Sequence, residues 1–471
     1  MISGVDPHVS RRPSLLRTAL ALLLVAAAAT GCAGGGVRGT PGAAGLRDPY
    51  FPRLGNGGYD VRHYGLDLRY DPRSGRLHGT AELTARATQD LSAFHLDLRG
   101  MTVKSVTVDG AEAAANRAGT ELTVRPRRDI GKGAEFRAVV RYAGVPQTVT
   151  DADSSEEGWL RAPGGDALGV GEPVGSMAWF PGNHHPADKA AYDITVTVPD
   201  GYEAVSNGEP AGRRTKGGRT AFTWRSEEPM ASYLALLAIG DFRVATTRTA
   251  AGLPVVTAVD PAAAERSSAL LRRIPRIVEW GTEKFGPYPF SSAGAVVVPA
   301  GEVEYALETQ TRPVFPLDRF DEETVVHELA HQWFGNSVTP ATWRDIWLSE
   351  SFATYAEWMW LAEAGTTPVR VSFEEAFADE ENWAFAPAVP PRAEDILAAP
   401  VYGRGAMVLH KLREAVGDDV FFRIVRGWTR THRHANASTA DFTAYAEARS
   451  GKDLTDLWKV WLYGDGKPEE P

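Results

Sequence analysis

The first half of the chain after about residue 59 is dominated by alternating apolar and polar side chains. Every second position is apolar in segments 64–70, 94–98 and 192–198. A period of two residues is typical of strands that bury one face, and Asp109-Gly110 and Pro199-Asp200-Gly201 supply turn signals at strand ends. This half is therefore predicted to form an antiparallel β domain.

The period changes beyond about residue 260. Apolar residues of segment 269–285 recur at helical spacing until Gly286-Pro287 ends the pattern. Further helices are predicted at 321–334, 350–363, 404–416, 418–431 and 438–449, with a last short one that ends at Gly464. The pattern predicts an α+β protein with an N-terminal β domain at 48–245, a mainly helical domain at 246–466 and a tail at 467–471.

An apolar run near the N-terminus forms a separate unit. Three arginines precede the run from Thr18 to Thr30, and Gly31-Cys32 follows it. This order is typical of a secretory signal, and the run is too short to cross a bilayer as a mature helix. We expect residues 1–31 to be a signal peptide and the Gly-rich residues 32–47 to be a flexible tether.

Cys32 is the one cysteine of the chain, and it stands where the small residues of the signal end. Its position resembles a bacterial lipobox, which implies export and a lipid anchor at Cys32 on the outer face of a bacterial cytoplasmic membrane. The alternative is a plain cleaved signal, which predicts a soluble secreted protein. In both cases no disulfide partner exists, and the net charge of −10 disfavours nucleic acid as a partner.

The segment His327-Glu328-Leu329-Ala330-His331 carries the clearest chemical signal. Histidines at positions i and i+4 lie on one helix face about one turn apart, so both imidazoles can bind one ion. Glu328 is offset by one position, which places its carboxylate beside a metal-activated water as general base. Asp321 suits the N-cap of this helix. The alternative is that both histidines are ordinary surface or core residues.

A catalytic zinc ion needs three protein ligands and an open fourth position. The candidate third ligand is Glu350, nineteen residues after His331 on the next predicted helix. Ser349 is expected to cap that helix. Two imidazoles with one carboxylate form a catalytic zinc set, so one Zn²⁺ is predicted per chain.

The stretch 327–336, with the segment 343–353, resembles the aminopeptidase N family of gluzincins, which includes leukotriene hydrolase relatives. The resemblance covers nearly all of the mature chain, from the predicted strand at 59–70 to the residues 461–464. It implies a β domain laid against a thermolysin-like catalytic domain, with the active site in the groove between them. Large family members add a C-terminal helical domain over this groove, and this chain is expected to lack it.

The resemblance also implies a site for the amino terminus of a peptide. Gly301-Glu302-Val303-Glu304-Tyr305 stands for the family's Gly-Ala-Met-Glu-Asn motif, so Glu304 is expected to bind the substrate amine. Tyr305 departs from the usual Asn and Glu302 from the usual Ala, which puts the substrate preference in doubt.

Two further residues acquire roles from the resemblance. Glu172, eight residues before Phe180, matches a second amine anchor, although a plain loop acid is the alternative. Tyr402 matches the catalytic tyrosine that stabilises the oxyanion, and its alternative role is a packed aromatic before a helix. Asp345 is a candidate either for orienting a zinc-bound histidine or for capping a helix.

The predicted function is a zinc-dependent aminopeptidase that acts on peptides with a free amino terminus. One alternative is an endopeptidase or a specialised hydrolase that uses the same zinc. A second alternative, from another class, is an inactive surface binding protein. The intact ligands, base and tyrosine argue against an inactive site.

Overall fold

The computed structural model describes residues 38–162 and 164–469, so the predicted signal peptide and Cys32 lie outside the described residues.

The largest sheet follows from the alternating pattern of the first half. Tyr64, Leu66, Leu68 and Tyr70 are all buried on one face. In sheet order, the eight strands are Glu209–Thr215, Arg219–Ala231, Lys189–Pro199, Tyr59–Asp71, Arg76–Ala87, Glu135–Gly144, Thr102–Val108 and Ala111–Glu112.

The predicted antiparallel pairing holds for most of this sheet. Tyr59–Asp71 pairs antiparallel with Arg76–Ala87 across a short turn. It pairs parallel with Lys189–Pro199, because the chain returns to the sheet only after a long excursion. The pattern alone does not reveal that parallel pair.

Two smaller sheets complete the β domain. One contains Thr40–Pro41, Leu91–Asp97, Glu121–Arg125 and Ala114–Ala118; the other contains Thr148–Thr150, Glu156–Arg161, Ala167–Val170, Leu237–Gly240 and Glu203–Ser206. The second sheet positions the candidate site, because Glu172 follows the strand Ala167–Val170 after one residue.

The later part of the predicted tether lies against the β domain. Thr40 pairs with Leu91 in a parallel register, and the backbone N–H of Gly42 donates to the carbonyl of Ala93 at 2.9 Å. Ala44 bridges to Asn56. Backbone hydrogen bonds therefore hold residues 40–44 to the fold.

A fourth sheet and most of the helices form the second half. Its strands are Arg243–Arg248, Pro254–Val259, Ala293–Val298 and Val314–Pro316, and a short pair joins Thr339–Pro340 to Asn436–Ala437. The helices are α1 Ala264–Leu271, α2 Ile274–Phe285, α3 Glu322–Ala330, α4 Trp347–Glu363, α5 Val369–Ala378, α6 Gly405–Val416, α7 Asp418–Thr431, α8 Thr439–Ser450 and α9 Thr455–Leu457. The α+β class and the order of its two parts are confirmed.

Helices α3 and α4 carry the predicted metal ligands. The carboxylate of Asp321 accepts the backbone N–H of Thr324 at 2.9 Å, so the predicted N-cap is present. Helix α3 ends earlier than expected, and Gly335 turns the chain with φ of +104°. A Cβ on Gly335 would lie 2.1 Å from Ser349 Oγ, so the close approach of α4 requires glycine.

Contacts join the chain from Gly39 onward into one compact unit. The predicted domain boundary at 245 and 246 falls within the strand Arg243–Arg248, and it stays a prediction. Among the described residues, no helix is both long and apolar enough to cross a membrane.

Candidate metal centre and active site

The structure brings the three predicted metal ligands together. His327 lies in the last turn of α3 and His331 is the C-cap residue of that helix, with ring centroids 4.7 Å apart, and Glu350 faces them from the first turn of α4. Glu350 Oε2 lies 3.5 Å from His327 Nε2 and 3.4 Å from His331 Nε2. One ligand atom from each residue lies within 4.8 Å of the others.

This donor set fits a zinc ion. Ligand bonds of about 2.0–2.1 Å in a tetrahedral arrangement separate neighbouring donor atoms by about 3.3 Å. The observed spacing of 3.4 and 3.5 Å between Glu350 and the two histidines is close to that value. The geometry needs little rearrangement to hold the ion.

The outer nitrogens of both histidines are held by neighbours. His327 Nδ1 contacts the carboxylate of Glu357, and His331 Nδ1 contacts Ser349 Oγ at 2.9 Å and the carbonyl oxygen of Phe334 at 3.1 Å. Such contacts fix the ring orientation and direct both Nε2 atoms at the metal position. Glu357 was not predicted, but it lies seven residues after Glu350, which places both on one face of α4.

Ser349 does not cap α4. The helix begins at Trp347, two residues before Ser349, and its N-cap residue Ile346 makes no side-chain cap bond. Ser349 lies inside the first turn instead, where its hydroxyl contacts His331 and donates to the carbonyl of Phe334 at 3.2 Å. The predicted cap is therefore wrong, and the residue supports a metal ligand.

The charges at the centre favour a cation. Although burial opposes ionisation of Glu350, the two nearby histidines lower its pKa to about 2. Burial opposes the charge on His331 as well, but the carboxylates of Glu350 and Glu308 raise its pKa to about 9. Both shifts show that this pocket stabilises positive charge, which a bound metal would supply.

Glu328 lies at the same centre without joining the ligand set. Its side chain is buried, and Oε2 lacks a hydrogen-bond partner among the described residues. Burial, reinforced by Glu308 and Glu350, raises its pKa to about 8 although the histidines lower it. A carboxylate with a raised pKa and a free oxygen is suited to accept and return a proton.

A cavity of about 260 Å³ opens in front of the metal ligands. It is lined by Asp153, Ser155, Glu172, Tyr305, Ala306, Leu307, Glu308, His327, Glu328, His331, Glu350, Leu397 and Tyr402. The ring of Tyr402 stacks on His327 with centroids 6.0 Å apart. Its helical turn, Pro400–Arg404, precedes α6, and the predicted tyrosine therefore lines the cavity next to a metal ligand.

Glu172 also reaches this cavity, where it meets Glu308. Both side chains are buried, and an oxygen of each lies within 4.8 Å of an oxygen of Glu350. Burial and the charge of Glu308 raise the pKa of Glu172 well above its usual range, and burial also raises the pKa of Glu308. Two carboxyl groups at this distance share protons unless a cation neutralises them.

Glu308 is the functional residue that the sequence analysis missed, and Glu304 does not take its place. Glu304 is exposed and does not line the cavity that contains Glu172, and Gly301 lies on an exposed turn with φ of +80°. The family motif fits four residues later, where Ala306 and Glu308 occupy its second and fourth positions. Because both registers contain a glutamate, the motif alone did not distinguish them.

The backbone of Glu308 is fixed by the metal-binding segment. Its carbonyl accepts hydrogen bonds from the side chains of Gln332 at 3.2 Å and Asn336 at 2.7 Å. Leu307, the preceding residue, exchanges two backbone hydrogen bonds with Val314. The position of the Glu308 carboxyl is thereby tied to the residues that follow His331.

Asp345 caps helices and does not contact either histidine. One carboxylate oxygen accepts the backbone N–H and hydroxyl of Thr342, and the other accepts those of Thr439. Of the two roles predicted for Asp345, the structure shows the capping role.

Comparisons with known proteins agree with this geometry. A model of the peptidase family M1 domain matches residues 317–461. "Aminopeptidase M1" of Arabidopsis thaliana is 28% identical over 325 residues, which are 63% of this chain and 36% of that protein. The chain spans between 36% and 41% of the length of the curated relatives it matches.

Solved structures match over almost their whole length. The crystal structure of an M1 zinc metallopeptidase from Deinococcus radiodurans is 30% identical with a TM-score of 0.84, covering 91% of this chain and 98% of that one. A mutant of the Deinococcus radiodurans enzyme bound to a Tyr-Ser-Ala substrate is 29% identical with a TM-score of 0.85, covering 91% and 99%. The similarity includes both the β domain and the helical half.

Proposed function

This chain belongs to the M1 family of zinc metallopeptidases, and we propose that it is an aminopeptidase that removes amino-terminal residues from peptides. The observation that carries the proposal is the buried pair Glu172 and Glu308 beside the ligand set of His327, His331 and Glu350. Two carboxyl groups suit a substrate ammonium, and the ligand set suits the metal that the family uses. Their common cavity joins amine recognition to hydrolysis.

One zinc ion per chain would be held by His327, His331 and Glu350, with Glu357 and Ser349 orienting the histidines. When bound, zinc supplies a Lewis acid that polarises the scissile carbonyl and lowers the pKa of water. The protein contributes the placement of the reacting groups around that position.

Glu328 acts as the general base and then as the general acid. Its unpartnered oxygen takes a proton from the attacking water, and the same carboxyl returns the proton to the leaving amine. The proton taken up in the first step is the one returned in the second, so the carboxyl is ionised again at the end of the reaction. Its burial keeps bulk water from taking over the transfer.

Tyr402 stabilises the negative charge that develops on the former carbonyl oxygen. Burial and the surrounding carboxylates raise the pKa of its phenol well above its usual range, so the hydroxyl keeps its proton. A neutral donor at the wall of the cavity can then form a hydrogen bond that strengthens in the transition state.

Glu172 and Glu308 select the first peptide bond. Without a substrate the two carboxyl groups repel each other and retain protons, whereas an ammonium allows both to ionise. Holding the amine at this end of the cavity places the first carbonyl at the metal position. The Tyr-Ser-Ala peptide bound by the Deinococcus radiodurans mutant supports a peptide substrate.

The test is hydrolysis of fluorogenic aminoacyl amides, each compared with its N-acetylated form, with zinc and after chelation. We expect chelator-sensitive cleavage of the free amines and at least a hundredfold lower kcat/KM for the acetylated forms. Equal cleavage of both forms would instead support an endopeptidase or another hydrolase. No cleavage and no bound zinc would support the binding-protein alternative.

We also propose that the protein is exported and anchored through a lipid on Cys32. The motif at the end of the N-terminal apolar run supports this proposal. An anchor of this kind would place the enzyme where extracellular peptides reach it.

A further inference from the structure

One wall of the active-site cavity has no role in the proposed reaction. The metal ligands, the base, the tyrosine and the two amine anchors account for most of the lining. The remaining lining residues are polar at Asp153, Ser155 and Tyr305 and apolar at Ala306, Leu307 and Leu397. Since the amine and the carbonyl of the first residue are already placed, this wall is where its side chain can extend.

Asp153 lies on a tight turn whose shape is set by its own hydrogen bonds. The backbone N–H of Asp151 donates to the carbonyl of Ser155 at 2.9 Å, and the N–H of Ser154 donates to the carbonyl of Asp151 at 3.1 Å. Asp153 Oδ1 accepts the N–H of Ser155 at 2.8 Å. This last bond fixes the direction of the carboxylate although the residue is exposed.

The strand after this turn is attached to both segments that carry the amine anchors. The buried Glu157 carboxylate accepts the backbone N–H groups of Val174 and Gly175, at 3.1 and 2.7 Å, just after Glu172. Tyr305, three residues before Glu308, donates its hydroxyl to the carbonyl of Glu156 at 2.9 Å. These bonds hold the Asp153 turn at a fixed position beside the amine site.

The charges of the cavity are unbalanced at this wall. Among the described residues that line the cavity, none is a lysine or an arginine. The substrate ammonium is bound by Glu172 and Glu308, so the carboxylate of Asp153 stays available for a second positive group. A flexible side chain with a terminal cation would meet it, whereas an acidic side chain would be repelled.

We propose that Asp153 is a specificity residue that favours peptides with lysine or arginine at the amino terminus. The inference rests on the proposed aminopeptidase function and names the substrate class of the same cavity. The turn recognises the side chain, and the carboxyl pair recognises the α-amine. Two separate acidic groups therefore bind the two cations of one amino-terminal residue.

The experiment compares lysyl and norleucyl fluorogenic amides, because norleucine matches the carbon chain of lysine without its ammonium. We expect the wild-type kcat/KM for the lysyl amide to exceed that for the norleucyl amide. In Asp153→Asn the lysyl-to-norleucyl ratio should fall roughly three- to fivefold, near the upper end for one exposed charge pair. Asp153→Glu keeps the charge and should retain most of the ratio.

The matched control is Asp419→Asn, which removes one exposed acid from the first turn of α7, away from the cavity lining. It should leave the ratio within about twofold. An unchanged ratio in Asp153→Asn, or an equal loss in Asp419→Asn, would overturn the inference. Failure of the aminopeptidase proposal looks different, because the wild-type protein would then cleave neither amide or would cleave the N-acetylated forms equally well. If Asp153→Asn does not fold, Asp153→Ala replaces it, with the same expected fall in the lysyl-to-norleucyl ratio.

Discussion

Glu328 is the residue on which the proposed reaction depends most directly. Glu328→Gln keeps the size of the side chain but removes its ability to take a proton, so kcat should fall by roughly 10²- to 10⁴-fold. Zinc content measured by atomic absorption should remain near one per chain, because His327, His331 and Glu350 all remain to hold the ion. Activity close to wild type in this variant would show that another group is the base.

The pair Glu308 and Glu304 offers a matched test of amine recognition. Glu308→Gln should lower kcat/KM for free aminoacyl amides by roughly ten- to a hundredfold, since one of two charge-assisted bonds to the ammonium is lost. Glu304→Gln changes an exposed acid outside the cavity, and its kcat/KM should stay within about twofold of wild type. If Glu304→Gln lowers kcat/KM more than Glu308→Gln does, the amine anchor is Glu304, as predicted from the sequence.

The metal ligands could be predicted from the sequence because their geometry is local. His327 and His331 are one helical turn apart, so the spacing itself brings them together. Glu308 could not be assigned in this way, because the loop that carries it has three glutamates and no repeating geometry. The contacts from Gln332 and Asn336 that fix Glu308 depend on the tertiary structure.

At the scale of elements, the helices of the second half were predicted to within a few residues wherever the apolar period was clear. Asp418–Thr431 begins and ends where the sequence placed it. Val369–Ala378 was missed although Val369, Phe373, Ala376 and Phe377 stand at helical spacing, because the helix is short and no side chain caps its start. Pro400–Arg404 forms a π-helical turn ahead of α6, which the pattern did not show.

Arg404 holds this turn, and with it Tyr402, in place. Its fully buried guanidinium donates to the carbonyls of Phe385, Val460, Trp461 and Gly464. Arg404→Met leaves these acceptors unpaired and should lower the free energy of unfolding by about 2–4 kcal/mol. It should also lower kcat, because the Tyr402 hydroxyl loses its fixed position. Urea denaturation and steady-state kinetics measure the two effects.

The control for this prediction is Arg370→Met on α5. Arg370 pairs with Glu374 one turn later, both side chains are at least half exposed, and an exposed pair contributes about 1 kcal/mol or less. If Arg404→Met costs no more stability than Arg370→Met, the four carbonyl contacts do not support the turn.

At the scale of the whole molecule, the proposed specificity depends on a fixed distance between the amine anchors and the metal ligands. Glu172 comes from the β domain, whereas the ligands come from α3 and α4. The Lys189 ammonium, on a strand of the β domain, donates to the carbonyls of Asn336 at 3.0 Å and Ser337 at 2.9 Å, just after α3. Such bonds between the two parts keep the spacing on which the proposed selection of the first peptide bond depends.

The proposed location of the protein depends on Cys32, a residue outside the described structure. If Cys32 carries lipid chains, their burial at roughly 0.8 kcal/mol per CH₂ group makes two chains sufficient for stable anchoring. The wild-type protein expressed in a bacterial host should then incorporate labelled palmitate and sediment with membranes, and Cys32→Ser should do neither. A wild-type protein found unlabelled in the medium would support the plain cleaved signal instead. Because the catalytic residues lie far along the chain from Cys32, both forms should cleave aminoacyl amides at the same rate.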